Sequence, residues 1–244
     1  MNIAIHDCEL EYMPNKTFPN LALMKISAYH KSKGDNVEWF IPLNSEKYDL
    51  VYTSSVFDFT PKPTSDYFPP NTIYGGTGYG LYGKEHDLPS EIDNVYPDYS
   101  IYPKCDYAIG YLTRGCINKC SYCVVPKKEG AIRPYSRWQD IVRSDTKKVH
   151  FMDNNVLACE YGINQLRELA NTDYEIDFNQ GLDIMLINEE IVKILSKIKW
   201  DKYIRFSCDK TYQMPYFQRA FELFDKYGIP KSKIFVYVLV GKDL

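Results

Sequence analysis

The chain has 244 residues, 29 Lys+Arg against 32 Asp+Glu for a net charge of −3, with 45% apolar and 25% charged residues. This is a globular composition, long enough for one large domain or two small ones, without the global basic field that grips nucleic acid. No apolar run approaches the roughly 18 residues that span a bilayer, and the N-terminus lacks a basic segment leading into an apolar one, so a cytoplasmic protein is expected.

Residues 1–104 read as a small α/β unit. Asn2–His6 is a strand candidate, and Ala22, Ile26 and Tyr29 place one apolar face on a helix over Leu21–Tyr29, broken at Gly34-Asp35. Val37–Ile41, Tyr48–Thr53 and Thr72–Tyr74 follow as strands rich in β-formers. The last runs into the Gly-rich stretch Gly75–Gly83. Alternating strands and helices predict a parallel sheet, with any ligand beyond its carboxyl edge. Residues 84–104, with Pro89, Pro97 and Pro103, read as a linker of little regular structure.

From residue 105 the alternation is regular. Strands are expected at Tyr107–Leu112, Val149–Met152, Tyr174–Phe178, Lys202–Phe206 and Ile234–Val240, and helices at Tyr161–Ala170, after the cap candidate Asn188, and at Tyr216–Tyr227. Ile191, Ile194, Leu195 and Ile198 make one buried stripe; Phe217, Ala220, Phe221 and Phe224 make another, ended by Gly228. Five strands separated by helix-length connections are the pattern of βα repeats.

The chain has seven cysteines, an odd number, and reduced thiols are expected in the cytosol. Cys116, Cys120 and Cys123 fall within eight residues, directly after a predicted strand. Three thiols so spaced can converge on one centre, and thiolates suit iron–sulfur clusters and zinc. A four-iron cluster normally takes four cysteines, so three leave one iron open, as catalytic metal sites do. Structural zinc with Cys105 as fourth ligand is the alternative, although the 10-residue gap to Cys116 does not fit paired CxxC knuckles.

The pattern CxxxCxΦC, with Tyr122 before the last cysteine, resembles the radical S-adenosylmethionine (SAM) superfamily, and RGCINKCSYCVVPKKEG is especially similar to its methylthiotransferase and cobalamin-domain branches. The resemblance covers residues 105–244. It implies a partial (β/α) barrel of radical SAM type, preceded by the small α/β domain. It further implies that Cys116, Cys120 and Cys123 hold a 4Fe-4S cluster, that SAM chelates the fourth iron, and that Tyr122 packs near the adenine. SAM contacts are expected at the carboxyl ends of successive strands. Asp153 and Asn154 are candidates for the amino group, with a helix N-cap as the structural alternative. Gln180 is a candidate for the ribose or substrate, or else part of a plain turn. Arg205, with Ser207 on the same strand face, is a candidate for the carboxylate, or else a surface ion pair. Val240-Gly241 is a candidate for the adenine. Lone residues such as His150 and Cys159 read as packing.

Two branches carry an α/β domain in front of the barrel. Methylthiotransferases hold a second cluster there with three cysteines; here Cys8 has one such place, but Ser54-Ser55 and Gly75-Gly76 occupy the others. Cobalamin domains carry DxHxxG after the first strand, and Asp7-Cys8-Glu9-Leu10 lacks the histidine. Methylthiolation and cobalamin are therefore both disfavoured. The expected activity is reductive cleavage of SAM to a 5′-deoxyadenosyl radical that abstracts hydrogen from an unidentified substrate, fed by a reductant protein of flavodoxin or ferredoxin type. A non-enzymatic iron–sulfur or zinc module is the competing class. The family barrel has six βα units against five strands here, so a longer parent protein, or cover for the last strand by the N-terminal domain or a neighbouring chain, is also expected.

Overall fold

The computed structural model describes residues 1–13 and 18–240. It is a mixed α/β protein in two compact units, Met1–Cys105 and Asp106–Leu244, the boundary falling one residue beyond that read from sequence. Among the described residues no helix is long and apolar enough to cross a membrane.

The first unit contains β1 (Asn2–Asp7), α1 (Cys8–Tyr12), α2 (Leu21–Ser32), β2 (Asn36–Trp39), β3 (Leu50–Ser54), β4 (Thr72–Gly75) and α3 (Ser90–Asp93). Its four strands are all parallel in the order β2-β1-β3-β4. Ile3, Ala4 and Ile5 of β1 are completely buried, as a central parallel strand covered on both faces requires. Asp7 caps α1 by accepting the N–H groups of Glu9 and Leu10 at 3.0 and 3.3 Å, and Asn20 caps α2 through the Leu23 N–H.

Residues 84–104 are not the linker expected. Ile92 and Tyr102 are buried in the unit, and the segment is tied to α2 by Lys25 Nζ on Asp93 Oδ1 at 2.8 Å and Ser27 Oγ on Asp98 Oδ2 at 2.7 Å. The prolines break regular structure without detaching the chain. Polar side chains from α2, some 70 residues earlier by separations of 68 and 71, hold it in place.

The second unit contains β5 (Ala108–Gly110), β6 (Thr113–Arg114), α4 (Val125–Lys128), β7 (Arg133–Pro134), β8 (Lys148–Phe151), α5 (Glu160–Leu169), β9 (Glu175–Phe178), α6 (Glu189–Leu195), β10 (Lys199–Trp200), β11 (Ile204–Ser207), α7 (Met214–Lys226) and β12 (Ile234–Tyr237). A parallel sheet runs β10-β9-β8-β5, and a second parallel pair joins β11 to β12. A parallel bridge between Leu182 and Phe206 continues the larger sheet toward the pair, so the major strands form an open arc in sequence order. Among the described residues no barrel closes.

One face of the arc is apolar. Val149, Phe151, Ile176, Phe178, Ile204 and Phe206 meet Leu166 and Leu169 of α5, Ile191 and Leu195 of α6, and Phe217 and Phe224 of α7 in one core. Each fully buried phenylalanine or leucine there stabilises by about 1.5–3 kcal/mol. Asn188 caps α6 through the Ile191 N–H at 2.9 Å, and Gly228 leaves α7 at a φ of 72°, a turn open to glycine at little cost.

The other face is polar. His150, its parallel partner Asp177, and Arg205 lie side by side across β8, β9 and β11. On β12, Ile234 and Val236 pack against the core, while Phe235 and Tyr237 stand on the polar face. Among the described residues no strand of this unit pairs with the outer edge of β12. Val240 is 82% exposed, and Gly241 lies outside the described residues.

Candidate metal centre

The three motif cysteines lie on a loop whose two ends are tied together. Its entry follows β5, where the Asp153 carboxylate accepts the backbone N–H of Leu112 at 3.0 Å, that of Thr113 at 2.6 Å, and the Thr113 hydroxyl at 2.7 Å. All three residues are 0–1% exposed. β6 then pairs antiparallel with β7, which brings residues 113–114 against 133–134. Between them Gly115 has a φ of 87°, and a Cβ there would meet the Ala131 carbonyl oxygen at 2.3 Å. Only glycine permits both the turn and this approach.

Glu129 gathers the loop's ends. One oxygen pairs with Arg114 at 2.9 Å, and the other accepts the Gly115 N–H at 2.8 Å and the Asn154 amide at 2.9 Å. The Arg114 guanidinium stacks on Tyr111, 4.2 Å from the ring centroid. Burial pulls this guanidinium down, but Tyr111 and Glu129 raise it above its ordinary value, so it stays charged. The Cys116 N–H donates to the Gly130 carbonyl at 3.2 Å, closing the loop's neck.

On this loop Cys116, Cys120 and Cys123 are all partly exposed. The Cys123 N–H turns back on the Cys120 carbonyl at 3.1 Å. Burial, with Cys120, Cys116 and Glu129 adding to it, pushes the Cys123 thiol up. A bound cation reverses that shift, because metal ligation takes the thiolate and releases its proton. Cys116 has two N–H donors on its sulfur, the backbone of Asn118 at 3.3 Å and the side-chain amide of Asn155 at 3.6 Å. Such donors orient a ligating thiolate and stabilise its charge. Thiols are the ligand type that iron–sulfur clusters take; the Cys116, Cys120 and Cys123 sulfurs do not all lie within 4.8 Å of one another.

The other sequence candidates fall out differently. Asp153 has structural partners: its carboxylate is buried and accepts three hydrogen bonds that hold the loop's entry. It is not a helix cap. Burial pushes it up to about 6, against the Leu112 and Thr113 hydrogen bonds that lower it. Asn154 supports the loop through Glu129. Arg205 is held by Asp177, with Nε and Nη2 at 2.9 and 2.8 Å; this bidentate pair raises the guanidinium and occupies the side that would have met a ligand carboxylate. Gln180 is exposed in a turn, and Ser207 is half-buried. Tyr122 is 43% exposed and donates its hydroxyl to Asp209 at 2.8 Å. Burial and that bond raise the hydroxyl's pKa.

The site also uses residues without a sequence signal. Asp183 accepts the amides of Asn118 and Asn155 on one oxygen, at 2.9 and 3.0 Å, and caps the Met185 N–H with the other. Asn155 ends the Asp153-Asn154-Asn155 run, but nothing in the spacing separates it from its neighbours. His150 is more than packing: it stacks on Tyr107 with centroids 3.8 Å apart and faces Asp201 at 3.4 Å. Among the described residues, His150, Asp177 and Asp201 form the one group of three ligand-type side chains with donor atoms within 4.8 Å of one another. Arg205 already neutralises Asp177 there. Compared with protein-family models and with curated proteins, the chain matches none.

Proposed function

We propose that the second unit is a partial (β/α) barrel of radical SAM type and that the protein is an enzyme of that class. The observation that carries the reading is the motif loop: three cysteines at the family's spacing, on a loop pinned by Asp153 and Glu129 beyond the first strand of an open parallel arc. Cys116, Cys120 and Cys123 would hold a 4Fe-4S cluster, and Tyr122 would lie against the SAM adenine. When bound, that pair supplies one-electron reductive cleavage of SAM to methionine and a 5′-deoxyadenosyl radical, which takes a hydrogen atom from the substrate. The chain's own work is to bind, orient and exclude water. An electron donor of flavodoxin or ferredoxin type belongs to the proposal.

The first unit reads best as a scaffold. Its one cysteine at the carboxyl edge, Cys8, is completely buried, with the Tyr79 hydroxyl 3.2 Å from its sulfur, and burial pushes the thiol up. Glu9 is engaged beside it by the N–H groups of Val56 and Phe57. Cys8 and Oε1 of Glu9 are thus engaged at the edge where a second cluster or cobalamin would bind, while Glu9 Oε2 is buried with no hydrogen-bond partner among the described residues.

Anaerobic reconstitution with iron and sulfide tests the reading. The expected result is the broad visible absorption of a cysteine-ligated cluster, changed by added SAM; a colourless zinc protein would support the non-enzymatic module instead. Tyr122 has its own test. Tyr122→Ala is expected to weaken SAM binding to the reconstituted protein by about 1–3 kcal/mol, the scale of a lost aromatic stacking platform, and Tyr122→Phe by much less. Equal affinities by calorimetry would remove Tyr122 from the site.

A further inference from the structure

We propose that Asn155 is a positioning residue for the Cys116 sulfur: its amide, oriented by Asp183, donates a hydrogen bond that stabilises added negative charge on a cluster held there. The inference rests on the iron–sulfur reading above. Asn155 is 2% exposed. Its Nδ2 lies 3.0 Å from Asp183 Oδ2 and 3.6 Å from Cys116 Sγ, and a primary amide nitrogen carries two hydrogens for two acceptors. The carboxylate decides which way the amide faces, because an ionised carboxylate only accepts and would repel Oδ1. Asp183 is itself fixed by the Met185 N–H.

The rest of the amide shows what it is there for. Oδ1 of Asn155 is buried with no hydrogen-bond partner among the described residues, an arrangement that costs stability. Half of the side chain's bonding capacity is thus unused, and the half in use is the donor half. The Asn118 amide shares the same Asp183 oxygen while its backbone N–H meets the same sulfur, so one carboxylate organises both donors around Cys116. N–H donors to a cluster sulfur favour the reduced, more negative state and raise its reduction potential. The couple concerned is one electron added to the cluster, with no bond made or broken.

The test is an EPR-monitored dithionite titration of the reconstituted wild type, Asn155→Ala, Asp183→Asn and, as a control, the helix-cap variant Asn188→Ala. Asp183→Asn removes, without opening a cavity, the charge that holds the donor end of the Asn155 amide in place. Asn155→Ala and Asp183→Asn are expected to carry as much iron as the wild type and to shift the midpoint potential to more negative values. Asn188→Ala is expected not to shift it. A wild-type potential in Asn155→Ala, or an equal shift in Asn188→Ala, overturns the inference and leaves the proposed function standing. Should Asn155→Ala take up no cluster, Asp183→Asn decides alone: a wild-type potential there overturns the inference. A wild type that assembles no cluster overturns the proposed function and this inference together.

Discussion

Asp153→Ala is expected to destabilise the second unit by about 2–5 kcal/mol, since each buried donor left without an acceptor costs about 1–3 kcal/mol and neighbouring losses do not add fully. The variant strands the N–H groups of Leu112 and Thr113 and the Thr113 hydroxyl, on two residues that are completely buried. Asp153→Asn keeps the volume but turns an amide nitrogen toward those donors, so it relieves little. The effect has a pH signature with a definite sign. The Asp153 carboxyl is raised in the fold from an ordinary 3.8 to about 6, burial outweighing the donors, so the folded state binds this proton more tightly than the unfolded chain. Its contribution is full below the unfolded value and falls as pH rises through about 6. Urea melts of wild type and Asp153→Ala between about pH 4 and pH 8 should therefore show a gap that widens on acidification. A gap that narrows would mean that the three donors outweigh burial and hold the carboxylate ionised.

The second large effect is on the proposed cluster. Cys120→Ala is expected to abolish the visible absorption of the reconstituted protein, and Cys116→Ala and Cys123→Ala to do the same, because a cluster held by three thiols has none to spare. Cys105→Ala and Cys159→Ala should leave the absorption intact. Cys105 is buried and Cys159 half-buried, and neither lies on the pinned loop. The discriminating measurement is iron per chain alongside absorbance: loss of both in Cys105→Ala would establish a four-cysteine site and with it the structural alternative.

What was legible in the sequence is what is local. Asn188 and the stripe Ile191, Ile194 and Leu195 specify α6 because a cap and a 3.6-residue period act within a few residues. The cysteine spacing singled out its loop for the same reason. Contacts between distant residues were not legible. The clamp of Asp153 on residues 40 and 41 positions earlier and the pairing of Arg205 with Asp177 across 28 residues give two ligand candidates structural partners that no spacing reveals. β6 and β7 are two residues each, too short for any periodicity, yet they form the neck of the cysteine loop. The prolines of 84–104 read as a detached linker because the lysine and serine of α2 that hold the segment lie far away in sequence.

Reductive cleavage of SAM would leave products that can be measured without knowledge of the substrate. The reconstituted, dithionite-reduced protein is incubated anaerobically with SAM and assayed for 5′-deoxyadenosine by mass spectrometry. Radical SAM activity predicts 5′-deoxyadenosine and methionine from the wild type and neither from Cys120→Ala. A wild type that carries its full complement of iron and binds SAM, yet yields no 5′-deoxyadenosine, would contradict it.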